Sequence, residues 1–252
     1  MKYSIEDLIQ IMNDLRDKCP WDKKQTLKSL KSLTIEEAYE LIDAIDKEDY
    51  YEIKEELGDL LLHVVFYSKI ASEKNHFNFD DVVESLIKKL IYRHPHIYSD
   101  VKVNNEDDVK KNWEKLKSKK SNKGILDGVP NNLPTLIRTS RVQEKVAAVG
   151  FDFKNIEDSI NKVIEEYNEF TEALIDKEKL KIEEEFGDLL FSLVNYSRHI
   201  GIDSNESLKK STNKFISRYK KLEKIIENKN TNIDKLDENE LNSIWEMVKK
   251  MN

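Results

Sequence analysis

Apolar residues return every three or four positions along most of this 252-residue chain, the spacing of helices that each bury one face. Residues 4 to 16 put Ile5, Leu8, Ile9, Met12 and Leu15 on one side, with Ser4 as the candidate cap. The run KCPWDKKQT (18 to 26) interrupts the pattern, since Pro20 disfavours helix in the residue before it. Leu27, Leu30, Leu33, Leu41, Ile42 and Ile45 resume it and predict a helix from Leu27 to Ile45. A third helix is predicted from Tyr51 to Ser72, and a fourth from Asp80 or Asp81 to Tyr92. RHPHIYSD ends the fourth, and a shorter helical stretch surrounds Trp113. Residues 117–135, KSKKSNKGILDGVPNNLPT, hold two of the six Gly and two of the four Pro and read as a linker. Helical patterning restarts at Leu136 and predicts helices near 157–175, 180–200, 205–228 and 239–250.

The restart is a repeat. EEAYE (36 to 40) matches EEYNE (165 to 169), and ELGDLLLHVVFYS (56 to 68) matches EFGDLLFSLVNYS (185 to 197). The offset is constant, 166 − 37 = 129 and 188 − 59 = 129. KLIYR (89 to 93) also matches KFISR (214 to 218), and WEKLK (113 to 117) matches WEMVK (245 to 249). The expected architecture is all-α: two tandem helical bundle domains, 1–116 and 136–252, joined by the 117–135 linker.

Composition narrows the picture. Charged residues are 36% and hydrophobic residues 38%, which suits charged-surface helices over a modest core. No apolar run approaches the ~20 residues that span a bilayer, so no membrane partner is expected. The start MKYSIEDL places Glu6 and Asp7 where an export signal would be apolar. Cys19 is the only cysteine; neither an intrachain disulfide nor a cysteine zinc site is available, and a reducing cytoplasm is the expected location. A net charge of −7 argues against nucleic-acid binding through a polybasic groove.

The repeated stretch carries the chemistry. Glu166 and Glu169 are three apart, as are Glu185 and Asp188, so each pair shares a helix face. IDKEKLK between them is short enough to reverse the chain, bringing four carboxylates to one spot. Two unit charges ~4 Å apart repel by about 4 kcal/mol at an effective dielectric near 20, so such a group protonates or holds a hard cation. Mg²⁺ fits an oxygen-only ligand set and keeps positions open for water and phosphate. Glu37, Glu40, Glu56 and Asp59 repeat the set in the first copy as a candidate second, weaker metal site.

Blander readings stand beside these. Acidic pairs three apart usually mark a solvated face. Thr34 and Glu37 also fit a capping box, which Val163 forbids at the matching position of the second copy. Gly58 and Gly187 cost about 1 kcal/mol each within helices, and close helix packing is the expected reason. Only Glu73 and His76 have the Glu-x-x-His spacing of a di-iron bundle, so that chemistry is not expected; His94 and His96 flank Pro95 in a turn.

EEAYE…EELGD and EEYNE…EEEFGD resemble the EExxE…ExxD signature of MazG-type nucleoside triphosphate pyrophosphohydrolases. CPWDKKQT (19 to 26), RHPHIYSD (93 to 100), GILDGVPNNLPTL (124 to 136) and KVAAVGFDF (145 to 153) extend the resemblance to the tandem two-domain form. It implies an all-α homodimer that hydrolyses canonical and deoxy nucleoside triphosphates to monophosphate and pyrophosphate with Mg²⁺, for which Mn²⁺ can substitute. By the same resemblance Glu166, Glu169, Glu185 and Asp188 are metal ligands and catalytic residues. Lys162, Lys181, Lys214 and Arg218 are phosphate contacts, Lys181 catalytic among them, and Trp245 borders the nucleotide. Without it, each cation reads as a surface charge and Trp245 as a core anchor.

Subtracting 129 maps Lys162 onto Leu33 and Lys181 onto Glu52, so the first copy keeps its carboxylates and Arg93 but lacks two cations. The second copy is therefore the expected catalyst, and the resemblance implies a broad base range. Two other functions stay open: a non-catalytic helical regulator that binds nucleotide or protein, and a pyrophosphatase restricted to one nucleotide such as dUTP or dCTP.

Overall fold

A computed structural model describes residues 2–99, 101–103, 105, 109, 112, 113, 116 and 124–251. The chain divides into two compact units, Met1–Trp113 and Glu114–Asn252. Residues 117–123 of the expected linker, and 114, 115 and 117 of WEKLK, lie outside the described residues. The remainder of the linker stretch belongs to the second unit, where Lys145 Nζ donates to the Ile125 carbonyl at 3.1 Å.

The first unit runs α1 (Ile5–Lys18), α2 (Lys31–Asp46), α3 (Tyr50–Ser72), α4 (Phe79–Arg93) and the one-turn α5 (Pro95–Tyr98). The second runs α6 (Thr135–Ala147), α7 (Ile156–Asp176), α8 (Lys179–His199), α9 (Ser204–Asn228) and α10 (Glu238–Lys250). No strand occurs among the described residues, so the all-α expectation holds. Short polar side chains start several of the helices. Ser4 and Asp7 form a capping box at α1, Asn78 and Asp81 at α4, and Asp237 and Glu240 at α10.

Three local expectations are corrected. The second helix begins at Lys31, not Leu27. Thr26 and Ser29 exchange side-chain and backbone hydrogen bonds at 2.9 and 3.1 Å, a local alternative to helix that competes with it. That turn drops Leu30 into a core of Met12, Val65, Phe66 and Ile70. The PHIY segment, Pro95–Tyr98, is also helical rather than an open turn, because Pro95 at its first position has a φ already suited to helix. His94 Nδ1 meets the Leu90 carbonyl, and the ring stands edge-on to Trp113 with centroids 4.8 Å apart. Finally, a Cβ added at Gly58 or Gly187 would meet nothing within 4 Å, so packing inside the described chain does not account for either glycine.

The two units turn alike. α2 and α3 form one antiparallel pair and α7 and α8 the other, each closed by two or three residues. One non-glycine residue in each turn takes a left-handed φ, 55° at Glu48 and 58° at Lys177, and 48 + 129 = 177. That conformation costs on the order of 1 kcal/mol and persists because the flanking helices over-determine it.

α10 docks on α9 through Leu222, Ile226, Ile244 and Val248, with Trp245 packed at the margin. Ile244→Ala should cost about 2–4 kcal/mol in chemical denaturation, because the side chain is only 2% exposed. The same variant should loosen Trp245, read as a red-shifted indole emission from the folded protein.

Candidate functional site

The tight α7–α8 turn brings two acidic faces together. Glu166 from α7 and Glu185 and Asp188 from α8 each offer a carboxylate oxygen, all within 4.8 Å of one another. Glu37, Glu56 and Asp59 do the same on α2 and α3. The fourth acid of each set, Glu169 or Glu40, stands outside that circle. Glu169 still feels the group: burial raises its pKa first, and the charges of Glu166 and Glu185 add to it.

Neutralisation differs between the units. Glu166 is 6% exposed and accepts an ion pair from Lys162 Nζ at 2.7 Å, while the same ammonium also holds Glu165 at 2.7 Å. Lys162 is thereby kept protonated well above its ordinary range, chiefly by the bond to Glu165 and then that to Glu166. In the first unit the matching residue is Leu33, packed against the hydrophobic core. Glu37 has no such cation among the described residues, and its pKa rises through burial first and then the charges of Asp59, Glu40, Glu56 and Glu36. Glu56 is raised in the same way.

Lys181 sits where the helix pair turns and faces Asp176 at 3.6 Å. Its counterpart Glu52 pairs with Lys47 at 3.1 Å, and 47 + 129 = 176. Both units thus brace the same turn with an ion pair of opposite polarity. The first unit has a cation there too, but on the other arm of the turn.

On α9, Lys214 is exposed, and Arg218 one turn later is half-buried with its Nε lacking a hydrogen-bond partner among the described residues. Phe215 between them is 56% exposed and packs on Trp245 with ring centroids 5.4 Å apart. Trp245 is thus both core anchor and rim. The first unit repeats the theme, with the Arg93 guanidinium 5.3 Å from the Trp113 ring centre.

Thr34 does not cap α2. Its backbone lies inside the helix, and its Oγ1 contacts the Leu30 carbonyl at 3.0 Å, His63 Nδ1 at 2.8 Å and Tyr67 OH at 2.5 Å. Val163 and Ser192 replace Thr34 and His63 in the second copy, so this network is peculiar to the first unit. Sequence reasoning passed over it. The available signal was that Thr34 precedes Glu37 by three and His63 follows Asp59 by four, which puts both on acidic faces. Asp152 of GFDF was also missed; it binds Arg198 and lies 3.0 Å from His199 Nε2. Burial pushes the Asp152 pKa up, but the Arg198 bond and charge, followed by His199, outweigh it and hold the carboxyl low.

The oxygen-only donor set fits a hard divalent cation. Carboxyls with raised folded pKa contribute stability below their ordinary value of 4.5, and that contribution is lost as pH climbs through the raised values. A divalent ion restores it. His63, lowered from 6.5 by burial, acts in the opposite sense and contributes stability only above that value. Comparing melting with and without cation cancels the His63 part. The Mg²⁺-induced rise in melting temperature should therefore grow as pH increases from 4.5, and a shift independent of pH would refute the link.

The MazG nucleotide pyrophosphohydrolase domain matches this chain twice, over residues 25–98 and 154–223, and each match contains one acidic helix pair. The nucleoside triphosphate pyrophosphohydrolase of Escherichia coli is 38% identical over 98% of this chain and 97% of its own length. The nucleoside triphosphate pyrophosphohydrolase/pyrophosphatase MazG of Thermotoga maritima is 43% identical over 97% of this chain and 95% of its own. With the signature carboxylates gathered at both matched segments, the chain belongs to the MazG nucleotide pyrophosphohydrolase family.

Proposed function

We propose that this chain hydrolyses nucleoside triphosphates, ribo- and deoxyribo-, to the monophosphate and pyrophosphate at the second unit. The observation that carries the reading is the carboxylate trio of Glu166, Glu185 and Asp188, one member of which is buried and held by Lys162. Those three, with Glu169, would hold Mg²⁺ or in its place Mn²⁺. When bound, the ion supplies Lewis-acid polarisation of the phosphate oxygens and a more acidic water. Lys162 orients Glu166 and balances its charge. Lys214 and Arg218, one turn apart on α9, would contact the triphosphate; Arg218 offers a planar fork and Lys214 a mobile point charge. Lys181 neutralises the departing pyrophosphate when it leaves Asp176. Attack of water at the α-phosphorus breaks the α–β bridge.

Phe215 and Trp245 form an aromatic pair, and stacking on such rings would tolerate every base, which supports a broad base range. Exposed apolar side chains on both units, Leu86, Ile87 and Leu90 on α4 and Phe186, Leu190 and Phe191 on α8, favour a homodimer that covers them. No helix among the described residues is long and apolar enough to cross a membrane, and the single cysteine fits the cytoplasm. Product analysis across the eight common triphosphates with Mg²⁺ is the test. Monophosphate and pyrophosphate from most of them are expected; diphosphate and phosphate would overturn the reaction, and turnover of one base alone would overturn the range.

A further inference from the structure

The two units diverge after their matching arginines. KLIYR ends α4 at Arg93, whereas α9 runs ten residues past Arg218 to Asn228 (228 − 218 = 10). That extension has two faces. Leu222 and Ile226 are buried under α10. Lys220 and Lys224 each stand two residues from Leu222, which at 3.6 residues per turn sets them on the far side of the helix.

A cleft of about 470 Å³ lies along that far side. Among the described residues it is lined by Asn213, Ile216, Ser217, Lys220, Lys221 and Lys224, with three ammonium groups and no carboxylate. Lys221 is half-buried and has a partner of its own, so the site rests on the other two lysines. Lys220 and Lys224 are exposed and one turn apart. Neither forms an ion pair among the described residues, although Glu223 and Glu227 follow them by three. Like charges at that spacing repel, and an anion between them would relieve the repulsion. Asn213 and Ser217 lie on the same face, one turn apart, and add amide and hydroxyl donors.

We propose that this cleft is a second anion site, for a compact polyphosphate such as inorganic pyrophosphate, held by Lys220 and Lys224 with Ser217 and Asn213 as donors. Phosphate oxygens accept from ammonium, hydroxyl and amide groups alike, and linked phosphates offer a separate anionic centre to each lysine. A nucleic-acid strand suits the face less well. From Asn213 to Lys224 the helix rises about 16 Å, which reaches few backbone phosphates. A chain of net charge −7 would repel the rest. The cleft is also distinct from the aromatic rim, because Phe215, which packs on Trp245, stands on the opposite side of α9. Lys214 and Arg218 lie between the two faces.

The test is calorimetric titration of inorganic pyrophosphate into the full chain carrying Lys214→Gln and Arg218→Gln. Chelator is present, so neither those intervening cations nor a bound metal contributes. One pyrophosphate per chain is expected. Adding Lys220→Gln and Lys224→Gln should weaken it about tenfold, and each single glutamine, used if the pair fails to fold, about threefold. Lys220→Arg with Lys224→Arg should hold it within about twofold, because the charges remain. No binding in the starting variant, or unchanged affinity in the folded glutamine variants, overturns the site. A single-stranded oligonucleotide that binds the same lysines more tightly than pyrophosphate overturns the choice of ligand. No turnover enters the measurement, so its failure and that of the proposed hydrolysis are distinguishable.

Discussion

Glu185→Ala is expected to lower pyrophosphate release by at least about 10³-fold, roughly 4 kcal/mol of lost transition-state stabilisation. Glu185 is one of three carboxylates with oxygens inside 4.8 Å, and the only half-buried member of that trio on α8. Removing it leaves the gathered trio with one acid from each helix and Glu169 outside it, too few close donors to hold a hydrated cation in fixed geometry against bulk water. The fold should survive, since the side chain belongs to neither hydrophobic cluster, and far-ultraviolet circular dichroism checks that. Glu56→Ala, its counterpart in the first unit, is expected to leave pyrophosphate release within about twofold, because Leu33 and Glu52 stand where the second unit has Lys162 and Lys181. Loss of turnover in Glu56→Ala with retention in Glu185→Ala would reverse the assignment of the catalytic unit.

The second large effect concerns Lys162. Lys162→Leu copies the first unit and strips the cation from Glu166, a carboxylate that is 6% exposed. Removing one partner of a buried ion pair costs about 3–5 kcal/mol. The ammonium here is 37% exposed, so solvent screening trims the expected loss to about 1–2 kcal/mol. Chemical denaturation in chelator should show it, and Mg²⁺ should recover part of it, because the ion takes over the missing positive charge. Turnover should fall about 100-fold at fixed Mg²⁺ and recover in part as Mg²⁺ is raised. A variant with full stability in chelator and a defect only in KM for the triphosphate would show that Lys162 serves the phosphates and not Glu166.

Several elements could be read directly from residue order. The 129-residue offset located both acidic helix pairs, and the structure gathers oxygens of Glu37, Glu56 and Asp59, and of Glu166, Glu185 and Asp188, three of the four acids that the spacing implied in each. The start of α1 was legible from its cap Ser4, whereas Asn78 and Asp237 cap α4 and α10 at positions that periodicity placed one or two residues late. The start of α2 was not legible. The heptad-like run of leucines continues through Leu27 and Leu30, and periodicity alone cannot tell a helical leucine from one buried by a turn. The same limit hid the polarity of the brace at the helix turn. Lys47–Glu52 and Asp176–Lys181 have equal spacing, and only the folded turn shows that each is a pair.

Sequence by itself determined the class of this protein: helical periodicity, a repeated unit, and acids recurring at a spacing that one helix face must share. Those are local properties, fixed by 3.6 residues per turn. What the tertiary structure decided is which charges are matched. Glu166 is buried with a cation, Glu37 is half-buried with no ion pair among the described residues, and His63 is buried with its Nδ1 bonded to Thr34. Burial and partnership depend on what arrives from a neighbouring helix, and no spacing along a single strand of sequence encodes that arrival.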